Sequence, residues 1–384
     1  MQTVTLARHA MATRFELVLH GDNPAALRAA GEEALDEIDR LENQLSLYRP
    51  GSEVAQLNAR AARESVRVTP AVFALLQHAR QLHAETGGAF DITIAPLVRC
   101  WGFMGRNHLR PFCHNEPTPN PSKEGSKHTN APRRFPSWEG SGVGWSAQTK
   151  VPSPEAIAEA RGKVGMQHVQ LDEPNRTVRF AREGVMLDLG AIGKGYAVGQ
   201  AAEILRGAGI VSALIHGGTS TVYAIGNPPD GEFWKMAIET PPAKVWSSAL
   251  TRSGIAEPPE GGTPNDLPAV SLRDEAMSVS AMWGRSFQSD GTTFGHVIDP
   301  RTGQPVSRSL LAVVALPSAT ETDALSTALL TLGEAGHEAI ARLRPGMRTL
   351  LVAHTENGLH AEVRGFEVPA ARERFKVSIK CLQH

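Results

Sequence analysis

The sequence is poor in the residues that cross-link a chain or bind zinc. Only three of its 384 residues are cysteine, and they lie far apart at Cys100, Cys113 and Cys381. Three separated cysteines form neither an even-numbered disulfide framework nor the paired spacing of a zinc site. They favour a reduced compartment and leave the fold to depend on its hydrophobic core.

Excess charge and long apolar runs are also missing. The formal net charge is −1, which gives no broad basic surface for nucleic acid or for an anionic membrane. No run reaches the roughly 18 apolar residues of a membrane-spanning helix, and the N-terminus lacks a basic, apolar and cleavable signal segment. As written, the sequence predicts a cytoplasmic protein without a membrane span. A start codon assigned too late would instead allow a periplasmic or membrane-anchored protein.

Several catalytic motifs are absent as well. The chain has no G-x-S-x-G nucleophile elbow, no H-E-x-x-H helix and no paired C-x-x-C. Their absence disfavours serine hydrolase and zinc chemistry. Neither standard glycine-rich phosphate motif, G-x-x-x-x-G-K-[ST] or G-x-G-x-x-G, occurs.

Helix and strand patterns are mixed along the chain. Helices are predicted to start at Asn23-Pro24 and Thr69-Pro70, where a capping side chain precedes proline, and another is predicted from Thr320 to Leu332. Strands are predicted for RFELVLHG, the VQLDEPNRTVRF hairpin, LLAVVAL, RTLLVAH and LHAEVRG. Because strict strand–helix–strand alternation is missing, we expect an α+β fold with mixed or antiparallel sheets and packed helices.

One segment differs from the rest in composition. Residues 105–154 are dense in proline, glycine, serine and lysine, so they cannot bury enough apolar area to offset the entropy of ordering. We predict a disordered insertion there; the alternative is a docking loop that uses its two tryptophans. The chain then divides into a domain formed by residues 1–104 and 155–375, the insertion, and a C-terminal tail at 376–384.

The stretch LDLGAIGKGYAV, residues 187–198, has the pattern of a glycine-rich turn before a helix. A strand is predicted to end at Asp188, and the three glycines bring backbone N–H groups to the helix start, where anions bind favourably. Lys194 adds a charge that suits phosphate. The alternative is a tight strand-to-helix turn with a solvated lysine, and the loop alone favours neither.

Two oxygen-bearing side chains share one face of the predicted helix at 320–332. Asp323 and Thr327 are four residues apart, which places them on one side of a helix. A carboxylate and a hydroxyl form a reasonable partial shell for Mg²⁺. Considered alone, the pair is better explained structurally, with Asp323 capping the helix start and Thr327 bonding back to a carbonyl.

Histidines offer candidate bases. His296 is predicted to open a strand before DPRTG, residues 299–303, whose composition is typical of a structural turn. Because its unperturbed pKa lies near working pH, His296 can act as a general base. A structural role is the alternative, and His216, which precedes two glycines, has the same ambiguity.

Six stretches, taken together and in order, resemble one family. They are MATRFEL, LSLYRPGSEVAQLN, TGGAFDITIAPLVRCWGF, LDLGAIGKGYAV, GHVIDPRTGQPV and TDALSTALL, and they run from residue 11 to about residue 332. This combination is similar to that of the ApbE-type FAD:protein FMN transferases. The resemblance implies an ApbE-like fold and a Mg²⁺-dependent enzyme that cleaves FAD and releases AMP. Such an enzyme attaches FMN through a phosphoester to a threonine or serine of a target flavoprotein.

The resemblance also implies roles for individual residues. FAD would be contacted by Met11, Tyr48, Ala89, Phe90, Asp91, Asp188, Lys194 and Val297. The metal would be held by the backbone carbonyl of Ala191 with Asp323 and Thr327, and His296 would be the catalytic base. The sequence departs from the family in HGGTSTV, where Gly-Gly-Asp is common, in SVSAMWGRSF, where many members have TSG and an aromatic residue, and at Gly193, where alanine is usual.

Three functions remain open on these residues. The first is FMN transfer to a partner protein, and the second is FAD pyrophosphatase activity, in which water replaces the protein hydroxyl at the same Mg²⁺-dependent site. The third is a flavin-binding module without catalysis. Retention of Lys194, His296 and the Asp323/Thr327 pair argues against the third.

Overall fold

A nine-stranded sheet runs through the described part of the chain. The computed structural model describes residues 1–104, 151–238, 270–282, 284–289, 292–355, 358–366 and 377–381. The predicted insertion at 105–154 lies outside these ranges except for its last four residues, so its disorder stays a prediction.

The large sheet is antiparallel except at one edge. In spatial order its strands are Gln2–Ala10 (β1), Thr13–Gly21 (β2), Ala213–Gly217 (β6), Thr221–Ile225 (β7), Glu275–Ala281 (β10), Ser309–Leu316 (β13), Arg348–Thr355 (β14), Gly358–Arg364 (β15) and Val377–Cys381 (β16). Only the β15–β16 pair of this sheet is parallel. β16 lies within the segment 376–384, which the sequence predicts to be a tail.

Three smaller sheets surround it in the described ranges. They are formed by Val66–Arg67 (β3), Thr177–Phe180 (β5) and Val169–Asp172 (β4), by Trp234–Met236 (β8) with Val270–Leu272 (β9), and by Ser286–Ser289 (β11) with Thr292–Gly295 (β12). The β4–β5 pair is the hairpin that the sequence predicts.

Helices cover one face of the large sheet. The described α-helices are Pro24–Leu45 (α1), Glu53–Arg60 (α2), Pro70–Glu85 (α3), Ala95–Cys100 (α4), Pro154–Arg161 (α5), Gly193–Gly207 (α6), Ala319–Leu332 (α7) and Glu334–Ala341 (α8). Helices α1, α6 and α7 pack in a row on this face, and the β8–β9 sheet covers the other. The expected α+β architecture of antiparallel sheets and packed helices is confirmed.

Helix α1 shows why the helix predictions succeed. The Asn23 side chain accepts hydrogen bonds from the N–H groups of Ala25 and Ala26, both at 3.1 Å, and Pro24 follows where its missing N–H costs nothing. Leucine and isoleucine side chains spaced along one face are then buried against the sheet and α6. Helices α3 and α7 likewise begin and end close to the predicted positions.

Two predicted strands are wrong. Residues 185–189, expected to form a strand ending at Asp188, are extended but belong to no sheet. Their backbone is instead held by the Asn58 amide, which accepts from Leu187 N at 2.7 Å and donates to Leu187 O at 2.9 Å. His296 does not open a strand, because β12 ends at Gly295 and the chain bends there.

No helix in the described ranges combines the length and the apolar composition needed to cross a bilayer.

Candidate active site

The candidate site is built where the start of α6 meets the first turns of α7. The N–H of Gly195 donates to Asp323 Oδ2 at 2.9 Å, which joins the two helices by a polar contact. A Cβ at position 195 would lie 2.1 Å from the carbonyl oxygen of Ala319 and 2.7 Å from Asp323 Cβ. Only glycine therefore allows this approach, and the contact fixes the Asp323 carboxylate at the N-terminus of α6.

Lys194 lies on the other side of the same carboxylate. Its Nζ is 3.9 Å from Asp323 Oδ1 and donates to the Gly190 carbonyl at 3.2 Å. The lysine side chain is 25% exposed and that of Asp323 only 6%, so the lysine keeps contact with solvent while the carboxylate is enclosed. The lysine is not the freely solvated side chain of the structural alternative.

Asp323 does not cap α7. That role belongs to Ser318, whose side chain accepts from Glu321 N at 3.3 Å, so the capping explanation of Asp323 is wrong. Thr327 does bond back to a carbonyl, since its hydroxyl donates to Asp323 O at 3.2 Å. Its oxygen keeps acceptor capacity and lies 3.2 Å from the hydroxyl of Ser280 on β10.

The oxygen atoms at this junction fit a magnesium ion. Gly195 N–H, which in a regular helix donates to the carbonyl four residues earlier at Ala191, turns to Asp323 instead. The regular pattern, already present where Gly193 N donates to Leu189 O at 2.7 Å, resumes one residue later, with Tyr196 N donating to Ile192 O at 2.9 Å. A carbonyl, a carboxylate and a hydroxyl are the hard ligands that Mg²⁺ accepts. Within the described ranges, no group of three or more His, Cys, Asp or Glu side chains is placed to hold a metal.

Asp188 lies at the entrance to the glycine turn. Its Oδ1 accepts from Gly190 N at 2.8 Å, and its own N–H donates to the Ile92 carbonyl at 2.7 Å. Burial raises the pKa of this carboxyl group, and the Gly190 bond and the positive charges of Lys194 and Arg285 oppose the rise. A carboxylate with a raised pKa beside two cations is typical of a functional site.

The segment around Asp91 is adjacent and almost fully buried. Ala89 and Phe90 are 2% and 1% exposed, so their side chains belong to the core and only their backbone can border a ligand. The Asp91 carboxylate is also enclosed, and accepts from Thr93 N at 2.7 Å and from Thr93 Oγ1 at 2.6 Å. These three residues shape the wall of the site.

His296 is held in one orientation by backbone. Its N–H and its Nδ1 lie 3.0 Å and 3.2 Å from the Arg285 carbonyl oxygen. A carbonyl only accepts, so Nδ1 carries the proton and Nε2 keeps its lone pair. Burial lowers the pKa of His296 to about 4, the Arg285 carbonyl opposes this, and the charges of Arg285 and Lys194 add to the lowering. The imidazole is therefore neutral at pH 7 and able to accept a proton.

The remaining predicted contacts, which form the rim of the predicted site, lie outside the α6–α7 junction. Tyr48 is 44% exposed; partial burial and the Asp188 charge raise its pKa, and Arg285 and Arg99 oppose this. Met11 forms the β1–β2 turn in a left-handed conformation, with φ of 50°. Val297 directly follows His296 and packs, half-buried, against the main core.

Four further residues shape the site and were not predicted from sequence. Asn58 holds the strand-like segment before Asp188, Gly195 admits Asp323, Ser280 contacts Thr327, and Arg285 carries a charge that reaches Tyr48, Asp188 and His296. Asn58 lies 129 residues from its partner, so local patterns contain no signal for it. The sequence pattern indicates Gly195 only as one of three glycines in the turn.

Known proteins of one family are similar to this chain over most of its length. The ApbE family model matches residues 11–351. A Treponema pallidum FAD:protein FMN transferase is 28% identical over 341 residues, covering 87% of this chain and 80% of that protein. The Haemophilus influenzae FAD:protein FMN transferase is 26% identical over 365 residues, covering 93% and 88%. The crystal structure of apo Pseudomonas stutzeri flavinyl transferase ApbE is similar with a TM-score of 0.68 at 27% identity, covering 94% of each chain.

Proposed function

The chain belongs to the ApbE family, and on that premise we propose that it is a Mg²⁺-dependent FAD:protein FMN transferase. It cleaves the pyrophosphate of FAD, releases AMP and attaches FMN through a phosphoester to a threonine or serine of a target flavoprotein. The observation that carries the proposal is the junction of α6 and α7. There Lys194, the Asp323 carboxylate and the Thr327 hydroxyl meet beside a glycine turn.

The charges at the junction suit a pyrophosphate. Lys194 carries a partly exposed ammonium group 3.9 Å from Asp323 Oδ1, and Arg285 adds a second positive charge that acts on Asp188. Both can stabilise the negative charge that develops on the phosphate oxygens as the bridging bond breaks. The Ala191 carbonyl, Asp323 and Thr327 would hold the metal, which supplies Lewis-acid neutralisation of the same charge when bound.

His296 suits the role of general base. Its Nδ1–H is engaged by the Arg285 carbonyl at 3.2 Å, so Nε2 is the atom that receives a proton. The acceptor hydroxyl loses that proton as its oxygen bonds to the phosphorus of the FMN half, and the pyrophosphate bond to AMP breaks. A bound pyrophosphate would offset the charges of Lys194 and Arg285, which otherwise lower the His296 pKa.

The test is an assay that follows AMP and protein-bound flavin separately. The full chain is incubated with FAD and Mg²⁺, with and without a domain that carries a threonine flavinylation site, and with EDTA as the metal control. We expect AMP release in step with covalent flavin on the acceptor, detected by in-gel fluorescence and a mass increase equal to FMN less water. Both should stop in EDTA.

The other outcomes separate the alternatives. Equal amounts of AMP and free FMN, with every acceptor unlabelled, would replace transfer by hydrolysis at the same site. No AMP under any condition would remove both enzyme functions and leave a flavin-binding protein. A Thr327→Ala variant with full Mg²⁺-dependent activity would refute the metal ligands while leaving the flavin chemistry in place.

A further inference from the structure

A histidine on α3 ties that helix to the wall of the candidate site. His83 Nδ1 lies 3.1 Å from Asp91 Oδ2 and 3.2 Å from the Phe90 carbonyl oxygen. Both partners are acceptors, so this nitrogen carries a proton and is shared between them. The His83 side chain is 22% exposed and that of Asp91 only 1%. The contact therefore closes a buried carboxylate from the solvent side.

The other oxygen of Asp91 continues the connection inwards. It accepts from the N–H and the hydroxyl of Thr93, and the Thr93 hydroxyl accepts in turn from Gly165 N at 2.6 Å. Between Asp91 and Thr93, the carbonyl of Ile92 accepts the N–H of Asp188 at 2.7 Å. The His83–Asp91 contact and the Ile92–Asp188 hydrogen bond, joined by the peptide bond between Asp91 and Ile92, thus connect His83 to the backbone of Asp188.

We infer that His83 is a positioning residue of the candidate site, which acts through Asp91 to hold the Ile92 carbonyl and with it the backbone of Asp188. His83 itself contacts none of the residues that are proposed to take part in the chemical step. Its effect is on the geometry of residues 90–93. The His83–Asp91 contact holds one end of this segment, and the hydrogen bond between Thr93 and Gly165 holds the other. The consequence for FAD rests on the proposed function, whereas the consequence for Asp188 does not.

The charge state of His83 sets the strength of this clamp. Burial alone lowers the pKa of His83, but the Asp91 carboxylate and the Phe90 carbonyl more than compensate, so the pKa is raised overall. A further charged group in this part of the described chain is Arg301, which lies with His83 around Gly88 and is already paired with Asp299 at 2.8 Å. The charge-assisted contact is thus complete below pH 6.5 and is lost as pH rises through the raised pKa.

Two of the other site groups, His296 and Tyr48, titrate outside this interval. The pKa of His296 is lowered to about 4, and that of Tyr48 is raised above its usual value near 10. A change between pH 6 and pH 9 that disappears on replacing His83 therefore belongs to His83.

The matched variants are His83→Ala and His83→Asn. Asparagine places an amide N–H near the position of Nδ1 but does not titrate, so it should restore the clamp without its pH dependence. His78→Asn is the control, since His78 lies on the same helix and pairs with Glu321 of α7 at 3.2 Å. A general loosening of α3 would appear in the control as well.

The first measurement is amide hydrogen exchange in the peptide that contains Asp188. We expect exchange about tenfold faster in His83→Ala, near wild type in His83→Asn, and unchanged in His78→Asn. In wild type the protection, corrected for the intrinsic pH dependence of exchange, should fall between pH 6 and pH 9, and in His83→Asn it should stay level. Equal protection of Asp188 in wild type and His83→Ala would overturn the inference.

The second measurement is the KM for FAD in the AMP-release assay. We expect a rise of about threefold to tenfold in His83→Ala with little change in kcat, and a KM in His83→Asn that no longer varies with pH. A drop in kcat alone would contradict a positioning role. If wild type releases no AMP, the proposed function fails, but the exchange measurement still decides whether His83 holds Asp188.

Discussion

Asp91 and Asp323 are both nearly buried carboxylates close to the glycine turn, yet their surroundings differ. The oxygens of Asp91 are surrounded by donors from His83 and Thr93. Asp323 has one oxygen bound to Gly195 N–H, and the other faces Lys194 at 3.9 Å, beyond hydrogen-bond distance. The Asp91 region, residues 88–93, is a closed frame, whereas in the Asp323 region, the α6–α7 junction, one carboxylate oxygen has its described cation only at 3.9 Å.

This difference shows how a carboxylate can be assigned a role without a bound ligand. A buried charge has to be paired or hydrogen-bonded. Where the protein itself completes the pairing, the group supports structure. Where one oxygen is left to a distant cation, a ligand or metal can complete the pairing. Substitutions in each region can test this division between frame and junction.

The largest effect is expected from replacing the carboxylate of each region by a neutral amide. Asp323→Asn should lower AMP release from FAD about 1000-fold with little loss of folding, because the charge that neutralises the metal is removed. Asp91→Asn should lower the free energy of unfolding by about 2 kcal/mol through loss of the contact with His83. Its AMP release should stay within about tenfold of wild type. Denaturant titration and the AMP assay on the same samples measure both, and equal activity losses would abolish the distinction.

The next effect concerns the glycine that joins α6 to α7. Gly195→Ala should lower the free energy of unfolding by about 3 kcal/mol, because the new Cβ would lie 2.1 Å from the Ala319 carbonyl oxygen. Gly199→Ala is the control one turn later on α6, where the nearest atom is 3.9 Å away. There alanine should be neutral or stabilising by up to about 1 kcal/mol, owing to its helix propensity. Similar values for both variants would mean that the junction is not closely packed.

Two histidines with lowered pKa values, His296 and His216, should both make the stability of the fold depend on pH. Burial is the main cause of a pKa of about 4 in both His296 and His216, and His216 lies in β6, away from the junction. In the unfolded chain both take up a proton near pH 6.5, so stability falls as pH decreases from about 6.5 to about 4. Glutamine at either position should reduce this slope in unfolding curves measured across that range.

Only one of the two should affect catalysis. His296→Gln is expected to lower AMP release about 100-fold at pH 7, as for loss of a general base, whereas His216→Gln should leave it near wild type. Wild-type activity should fall as pH drops towards 4, when His296 becomes protonated. An unchanged rate in His296→Gln would remove it from the proton transfer.

These regions also show what sequence patterns can and cannot predict. Asn23-Pro24 marks the start of α1 because its signal is local: the asparagine bonds within two and three residues. The loop at 187–198 was also recognisable, as a turn between an extended segment and a helix. The prediction of a strand before it was wrong. The Asn58 side chain, 129 residues away in sequence, makes the backbone hydrogen bonds that a neighbouring strand would otherwise make. No local pattern encodes such a partner.

The same limit applies within the candidate site. The spacing of Asp323 and Thr327 correctly placed both on one helix face, but spacing could not show that Ser318 takes the capping role. The importance of Gly195 likewise depends on α7 lying against it. The family resemblance identified separate stretches and their order along the chain. The contacts between those stretches could be seen only in the structure.

The smallest effect is expected at Arg285, which lies on the junction side but outside the helices. Its charge acts on Asp188, His296 and Tyr48, and in the described ranges its exposed guanidinium makes no ion pair. Arg285→Gln should raise the KM for FAD about threefold, because a partly solvated charge at the rim contributes less than about 1 kcal/mol. The loss should shrink as salt is added, since screening already weakens the wild-type contact.

Arg99→Gln is the matched control, because Arg99 also reaches Tyr48 but is not among the charges that act on Asp188 or His296. If both variants raise the KM equally, the effect passes through Tyr48 at the rim, and the positive field of the junction is supplied by Lys194 alone.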